Sequence, residues 1–106
     1  MGKNLREVLP GLAGELEALL RADNEPDLAA QVSSLKVVDR CRCDIASCAT
    51  IYNVQKPKGA WGPSHRSIVL DTVEGMTVVD ALDEKIVCIE ILDRDDITAA
   101  VLKLFP

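Results

Sequence analysis

The feature that most constrains the fold is a long segment, residues 35–92, in which apolar and polar side chains alternate with a period of two. This alternation is typical of β-strands that bury one face and leave the other in water. Because short connections favour antiparallel neighbours in chain order, we expect a five-stranded antiparallel meander. Turn-forming residues divide the segment into predicted strands at residues 35–43, 47–54, 68–71, 76–81 and 86–92.

Amphipathic helices are predicted on both sides of this segment. Residues 1–34 are predicted to be helical because leucines recur at three- and four-residue spacing, as at Leu12, Leu16 and Leu19. Residues 93–106 are predicted to form one C-terminal helix. Packing these helices on one face of the sheet would bury the apolar sides of both. We therefore expect a two-layer α+β fold, in a single domain that spans the whole chain of 106 residues.

Charge and hydropathy exclude several classes of protein. The formal net charge is −5 and the basic residues form no continuous stripe, so we predict no nucleic-acid binding. No apolar run is long enough for a membrane span, and residues 1–7 lack the apolar core of a signal peptide. We therefore expect no membrane association, a cytoplasmic location and reduced thiols. The sequence gives no indication of the oligomeric state.

The four cysteines, Cys41, Cys43, Cys48 and Cys88, are the candidate metal ligands. Cys41 and Cys43 are two positions apart in a predicted strand, where an extended chain separates them by roughly 6.6 Å, which is awkward for two sulfurs that each lie about 2.3 Å from one ion. Cys43 and Cys48 fit a shared ion better across the predicted turn at 44–47, and a reducing compartment disfavours a disulfide between them. We expect these cysteines to pack as small apolar residues without a cofactor. A zinc or thiol-redox site is the alternative.

The longest predicted loop, residues 55–66, carries the only tryptophan and the only histidine, Trp61 and His65. Long loops on a rigid sheet often hold binding residues, and tryptophan is a frequent binding hot spot. The candidate binding residues are therefore Trp61, His65 and, on the preceding strand, Tyr52. The alternative is that Trp61 only covers the edge of the sheet. Cys48 with His65 is the one thiol and base pair that a nucleophilic enzyme could use.

The stretch from Cys41 to Tyr52, with the pattern C-x-C-x4-C-A-T-x-Y, resembles a group of small bacterial proteins of unknown function. Further points of resemblance are the Gly-Pro-Ser-His turn that ends at His65, the Glu-Gly-Met strand that ends at Met76, and Ile-Val-Cys-Ile-Glu at residues 86–90. The resemblance covers nearly the whole chain. It implies one bacterial cytoplasmic domain and carries no activity, substrate or cofactor with it.

The residues leave three functional hypotheses. No phosphate loop, dinucleotide-binding fingerprint or serine-nucleophile motif is present, while an acidic surface accompanies one aromatic loop. We therefore predict, first, a non-enzymatic protein-interaction module of a regulatory or immunity type, with a protein partner. The second hypothesis is a small zinc or thiol-redox module built on the cysteines. The third is an enzyme that uses Cys48 or His65.

Overall fold

The computed structural model describes residues 2–106, and Met1 of the predicted helical segment lies outside the described residues. None of the helices formed by residues 2–106 has the length and hydrophobicity needed to cross a bilayer. The helices are α1 Leu5–Val8, α2 Pro10–Ala22, α3 Pro26–Gln31 and α4 Asp95–Leu104, with a 3₁₀ turn at Val32–Ser34. The strands are β1 Lys3–Asn4, β2 Lys36–Val37, β3 Asp39–Arg40, β4 Ile51–Tyr52, β5 His65–Leu70, β6 Met76–Leu82 and β7 Lys85–Leu92.

The main sheet has five antiparallel strands in the order β3-β4-β7-β6-β5. The mixed α+β fold and the antiparallel five-stranded sheet are confirmed, but the meander order is wrong, because β4 pairs with β7 and β5 lies at the far edge. Burial explains this order. Val87, Cys88 and Ile89 are buried in succession, so both faces of β7 are covered and it takes a central position. Strand β5 ends in an alternation of exposed and buried residues, which suits an edge.

One apolar core joins the helices to one face of the sheet. Its members alternate along the strands, so their neighbours in sequence point to the opposite face. Burying one Leu or Ile side chain contributes about 1.5–3 kcal/mol, and many such side chains are fully enclosed. The helices contribute Leu12, Leu16, Leu20, Leu28, Ile97 and Val101, and the sheet contributes Ile51, Ile68, Leu70, Val79, Ala81, Ile86, Ile89 and Ile91.

The predicted strand at residues 35–43 is broken in the structure. β2 pairs with β1 in a separate two-stranded sheet, and β3 pairs with β4 in the main sheet, so the chain changes partner at Val38. β1 was not expected, since it lies in the predicted helical segment. The second predicted strand, 47–54, is reduced to β4. In place of a short hairpin turn, residues 41–50 form an irregular connection between Arg40 and Ile51, and this connection carries three cysteines.

Candidate functional site

A cleft of about 480 Å³ lies on the sheet face that points away from the helical core. Tyr52, Cys88, Asp80 and Ser67 are paired in sequence across the four adjacent strands β4, β7, β6 and β5, so their side chains form a row on its floor. The irregular connection at residues 41–50 forms one wall, and the loop that follows β4 supplies part of another. We refer to this cavity as the thiol cleft.

The thiol cleft collects candidates that the sequence offered separately. The binding candidates come from β4, from the long loop and from the start of β5, while the cysteines come from the irregular connection and from β7. Their convergence could not be expected from the chain order, because they are spread over residues 41–88. The candidates that line the cleft are Cys41, Cys43, Cys48, Tyr52, Trp61, His65 and Cys88.

The sulfur atoms of Cys41, Cys43 and Cys48 all lie within 4.8 Å of one another, and we call these three residues the thiol cluster. The strand predicted through Cys41 and Cys43 is not formed, so the separation expected for an extended pair does not apply to them. The strand ends at Arg40, and the chain bends before the two sulfurs diverge. The Cys41 N–H donates to the Thr50 carbonyl oxygen at 2.8 Å, and a turn closed by the Cys48 N–H and the Ile45 carbonyl oxygen at 3.1 Å brings the third sulfur back.

The members of the thiol cluster differ from Cys88 in exposure. Cys43 is exposed and Cys41 and Cys48 are half-buried, so the expectation that these cysteines pack as buried apolar residues is wrong for them. Cys88 is buried and does not belong to the cluster. Burial raises the pKa of the Cys88 thiol well above its ordinary value, and the nearby charges of Asp80 and Glu90 raise it further. Cys88 is therefore the one cysteine that behaves as a buried neutral thiol.

Tyr52 links the thiol cluster to the floor of the cleft. Its hydroxyl lies close enough to the side chain of Cys41 for that residue to affect its pKa, and its ring is half-buried. Burial raises the pKa of the Tyr52 hydroxyl, and the neighbouring Cys41 side chain adds to the increase. The phenol thus keeps its proton and is able to donate a hydrogen bond to a neighbouring group.

Asp80 is the most enclosed ionisable group on the floor, with 2% of its surface exposed. Its Oδ1 accepts a hydrogen bond from the Ser67 hydroxyl at 2.7 Å and lies 2.9 Å from the His65 Nε2. Its carboxyl group is also hydrogen-bonded to the carboxyl group of Glu90, on the neighbouring strand. A buried carboxylate with several partners satisfies the rule that buried charges are paired or hydrogen-bonded.

The two carboxyl groups titrate in opposite directions. The hydrogen bond to Asp80, followed by burial, raises the pKa of Glu90 to about 7. Burial alone would raise the pKa of Asp80, but hydrogen bonds from Glu90, Ser67 and His65 outweigh it and hold that pKa below its ordinary value. Near neutral pH the pair therefore shares one proton, which is carried by Glu90. Such a pair can take up or release a proton inside the cleft.

Trp61 and His65 lie side by side at the rim of the cleft. Their ring centroids are 6.5 Å apart, and both side chains are half-buried. The His65 Nε2 is engaged by Asp80, and no hydrogen bond joins His65 to Cys48 among residues 2–106. The proposed thiol and base pair is therefore not formed in this arrangement. Whether Trp61 contacts a ligand or only covers β5 stays a prediction.

Three residues of the cleft were missed by the reasoning from sequence: Ser67, Asp80 and Glu90. One signal could have identified Asp80, since a carboxylate interrupts the apolar run of β6, in which every residue from Thr77 to Ala81 is buried. Aspartate is rarely fully buried unless it is paired. A charged residue at a central strand position therefore indicates a polar partner on the neighbouring strands.

The chain matches no protein-family model, and no curated protein or solved structure is significantly similar to it. The resemblance of the cysteine stretch to small bacterial proteins therefore stays a prediction.

Proposed function

We propose that this protein binds one thiophilic metal ion, zinc in the first place, through the thiolates of Cys41, Cys43 and Cys48. The observation that carries the proposal is the convergence of the three sulfurs to within 4.8 Å of one another. Around a tetrahedral zinc with bonds of about 2.3 Å, neighbouring sulfurs lie about 3.8 Å apart. Closing onto an ion thus requires the sulfurs to approach by about 1 Å at most, which an irregular connection can accommodate.

The ligand type supports zinc. Soft thiolate ligands favour Zn²⁺, Cu⁺ and iron–sulfur clusters over the hard ions Mg²⁺ and Ca²⁺, which prefer oxygen. A set of three thiolates leaves one of the four tetrahedral positions of zinc unfilled by the cluster. In zinc proteins this open position is typical of sites where a water or a ligand binds, whereas structural sites are closed by four protein ligands.

The surroundings of the cluster support an accessible ion. Tyr52 is placed to donate a hydrogen bond to the Cys41 sulfur, which is the kind of outer contact that orients and stabilises a metal-bound thiolate. Cys43 is exposed, so an ion can enter from solvent. The three cysteines line a cleft that also holds His65, Asp80 and Glu90, whose side chains can hydrogen-bond a water or a ligand there.

The thiol-redox hypothesis uses the same sulfurs, and the experiment below separates it from metal binding. The protein-interaction hypothesis stays a prediction, because no contact among residues 2–106 tests it. We favour metal binding over it, since the cluster is a specific geometric feature whereas an acidic surface is shared by many proteins.

The test is metal analysis of protein purified under reducing conditions without chelator, followed by competition with a chromophoric zinc chelator. We expect one zinc per chain. Replacement of a metal-bound thiolate by an alcohol, as in Cys41→Ser, Cys43→Ser or Cys48→Ser, should weaken zinc binding at least about 100-fold, because a hydroxyl is a poor ligand at neutral pH.

Cys88→Ser is the matched control, since Cys88 lines the same cleft but is not part of the cluster. It should bind zinc as tightly as the unsubstituted protein does. The proposal is contradicted if all four thiols react freely with no metal bound, or if two of them are recovered as a disulfide that resists zinc. Equal losses in Cys88→Ser and Cys48→Ser would also contradict a three-sulfur site.

A further inference from the structure

A second cleft, of about 620 Å³, lies next to the thiol cleft, and Tyr52 lines both. Three cationic side chains and one carboxylate surround it, and we call it the basic cleft. In a chain with 17 acidic and 12 basic residues, this local excess of positive charge runs against the overall balance. The residues that line the basic cleft are Val38, Asp39, Arg40, Arg42, Tyr52, Gln55 and Lys56.

The two arginines of the basic cleft are held in place mainly by main-chain oxygens. Arg40 donates from Nε to the Phe105 oxygen and from Nη1 to the Cys41 oxygen at 3.3 Å. Arg42 donates from Nη1 to the Pro106 oxygen at 3.2 Å, and its Nη2 pairs with Asp39 at 2.9 Å. These contacts fix both guanidinium groups, while only Arg42 gains a carboxylate side chain as a partner.

Lys56 completes the cationic set. Its Nζ lies 5.7 Å from the centroid of the Tyr52 ring, within the range of a cation–π contact. Neither Lys56 nor Arg40 forms an ion pair with an acidic side chain in the part of the chain that the structure describes. Lys56 and Arg40 thus line the cleft without an ion pair of their own, and Asp39, which pairs with Arg42, is the one carboxylate among the residues that line it.

We infer that the basic cleft binds a small ligand through an oxyanion, a phosphate or carboxylate group, held by Arg40, Arg42 and Lys56. Guanidinium groups bind such anions through paired charge-assisted hydrogen bonds, and a lysine adds a point charge. Val38 and the ring of Tyr52 offer apolar surface to the rest of the ligand. Charge complementarity favours an anion, because the three cations outnumber the single carboxylate of Asp39 in the lining of the cleft.

The order of residues along the chain connects the two clefts. In the run from Arg40 to Cys43, the arginines line the basic cleft and the cysteines line the thiol cleft. A ligand whose anionic group occupies the basic cleft would thus be bound beside the thiol cluster. The binding of the anion itself does not require a metal, so it can be tested on metal-free protein.

The experiment is a titration of reduced, metal-free, isotope-labelled protein with sodium phosphate and, separately, sodium acetate, followed by amide chemical shifts. Sodium chloride at matched ionic strength is the reference. We expect saturable shifts centred on residues 38–42 and 52–56. The salt that binds more tightly tells a phosphate ligand from a carboxylate ligand.

Substitution separates a built site from general charge effects. Lys56→Gln should weaken anion binding about tenfold, the effect of losing one charge-assisted hydrogen bond. Lys58→Gln, in the same loop but outside the cleft, is the control and should leave it unchanged. Arg42→Lys keeps the charge and tests whether the fork geometry matters. Shifts that chloride reproduces, shifts that do not saturate, or equal losses in Lys56→Gln and Lys58→Gln would overturn the inference.

Discussion

The carboxyl groups of Asp80 and Glu90 are hydrogen-bonded to each other on the floor of the thiol cleft, although they lie on neighbouring strands of the sheet. One of the two carboxyl groups must be protonated for this contact to be favourable, since two neighbouring carboxylates repel each other. The proton resides on Glu90, and Asp80 keeps its charge because His65 and Ser67 also bind it. This relationship gives the cleft an acid near neutral pH beside three thiols.

Glu90→Gln should change the pH dependence of stability. The pKa of Glu90 is raised from 4.5 to about 7 in the folded protein, so its contribution to stability is present below pH 4.5 and is lost as the pH rises through about 7. Glutamine mimics the protonated form and does not titrate. We therefore compare the free energy of unfolding of Glu90→Gln with that of the original protein, measured with urea at pH 4.5 and at pH 7.5. The variant should gain stability relative to the original protein as the pH rises from 4.5 to 7.5. Parallel pH profiles of stability for the two proteins would show that the pKa of Glu90 is not raised in the folded state.

Asp80→Asn should lower the pKa of Glu90 towards its ordinary value, because the hydrogen bond to Asp80 is the largest cause of the increase. The side-chain carboxyl carbon of Glu90 reports its protonation in a ¹³C titration. Ser67→Ala is the control, since it removes a hydrogen bond to Asp80 and leaves the carboxyl pair intact. A pKa of Glu90 that stays near 7 in Asp80→Asn would mean that burial, rather than the pair, sets it.

Tyr52→Phe should weaken zinc binding about tenfold without changing the number of ions bound. The substitution removes the hydroxyl next to Cys41 and keeps the ring, and loss of an outer contact to a metal-bound ligand typically costs 10- to 100-fold in affinity. Chelator competition measures the change. If Tyr52→Phe bound zinc as tightly as the unsubstituted protein, the Tyr52 hydroxyl would have no role in zinc binding.

Glu15 and Glu84 each bind an arginine, and they should differ in how much they contribute to the stability of the fold. Glu15 holds Arg94 through two hydrogen bonds of 2.7 and 3.0 Å, and Arg94 is only 12% exposed. Glu84 pairs with Arg66, but the Glu84 side chain is 64% exposed. Glu15→Gln should therefore destabilise the protein by about 2 kcal/mol, and Glu84→Gln by much less, because water screens an exposed ion pair. Urea unfolding of both variants checks this, and equal losses would contradict the difference in burial.

The sheet and helices could be predicted because each strand from β5 to β7 carries its own alternation or apolar run, and each long helix carries its own stripe. The position of β7 between β4 and β6 was missed because a list of strands does not specify which of them pair. Consecutive burial at Val87, Cys88 and Ile89 held that information, since only a central strand is covered on both faces.

The thiol cluster could not be predicted because the bend after Arg40 depends on contacts distant in sequence. Arg40 and Arg42 bind the main-chain oxygens of Phe105 and Pro106, which lie more than sixty positions away in the sequence. The chain leaves the strand directly after Arg40. The alternation of apolar and polar residues continues through Cys41 and Cys43, so the local sequence does not indicate that the strand ends at Arg40. For the same reason, the cysteines were expected to pack as small apolar residues.

The most direct test of the central claim is X-ray absorption spectroscopy at the zinc edge of protein loaded with one zinc per chain. A site of three thiolates predicts three sulfur ligands at about 2.3 Å from the zinc and one oxygen or nitrogen ligand at about 2.0–2.1 Å from it. A shell of four sulfurs would bring Cys88 into the site and remove the open position. A shell of oxygen and nitrogen alone would show that Cys41, Cys43 and Cys48 do not hold the ion.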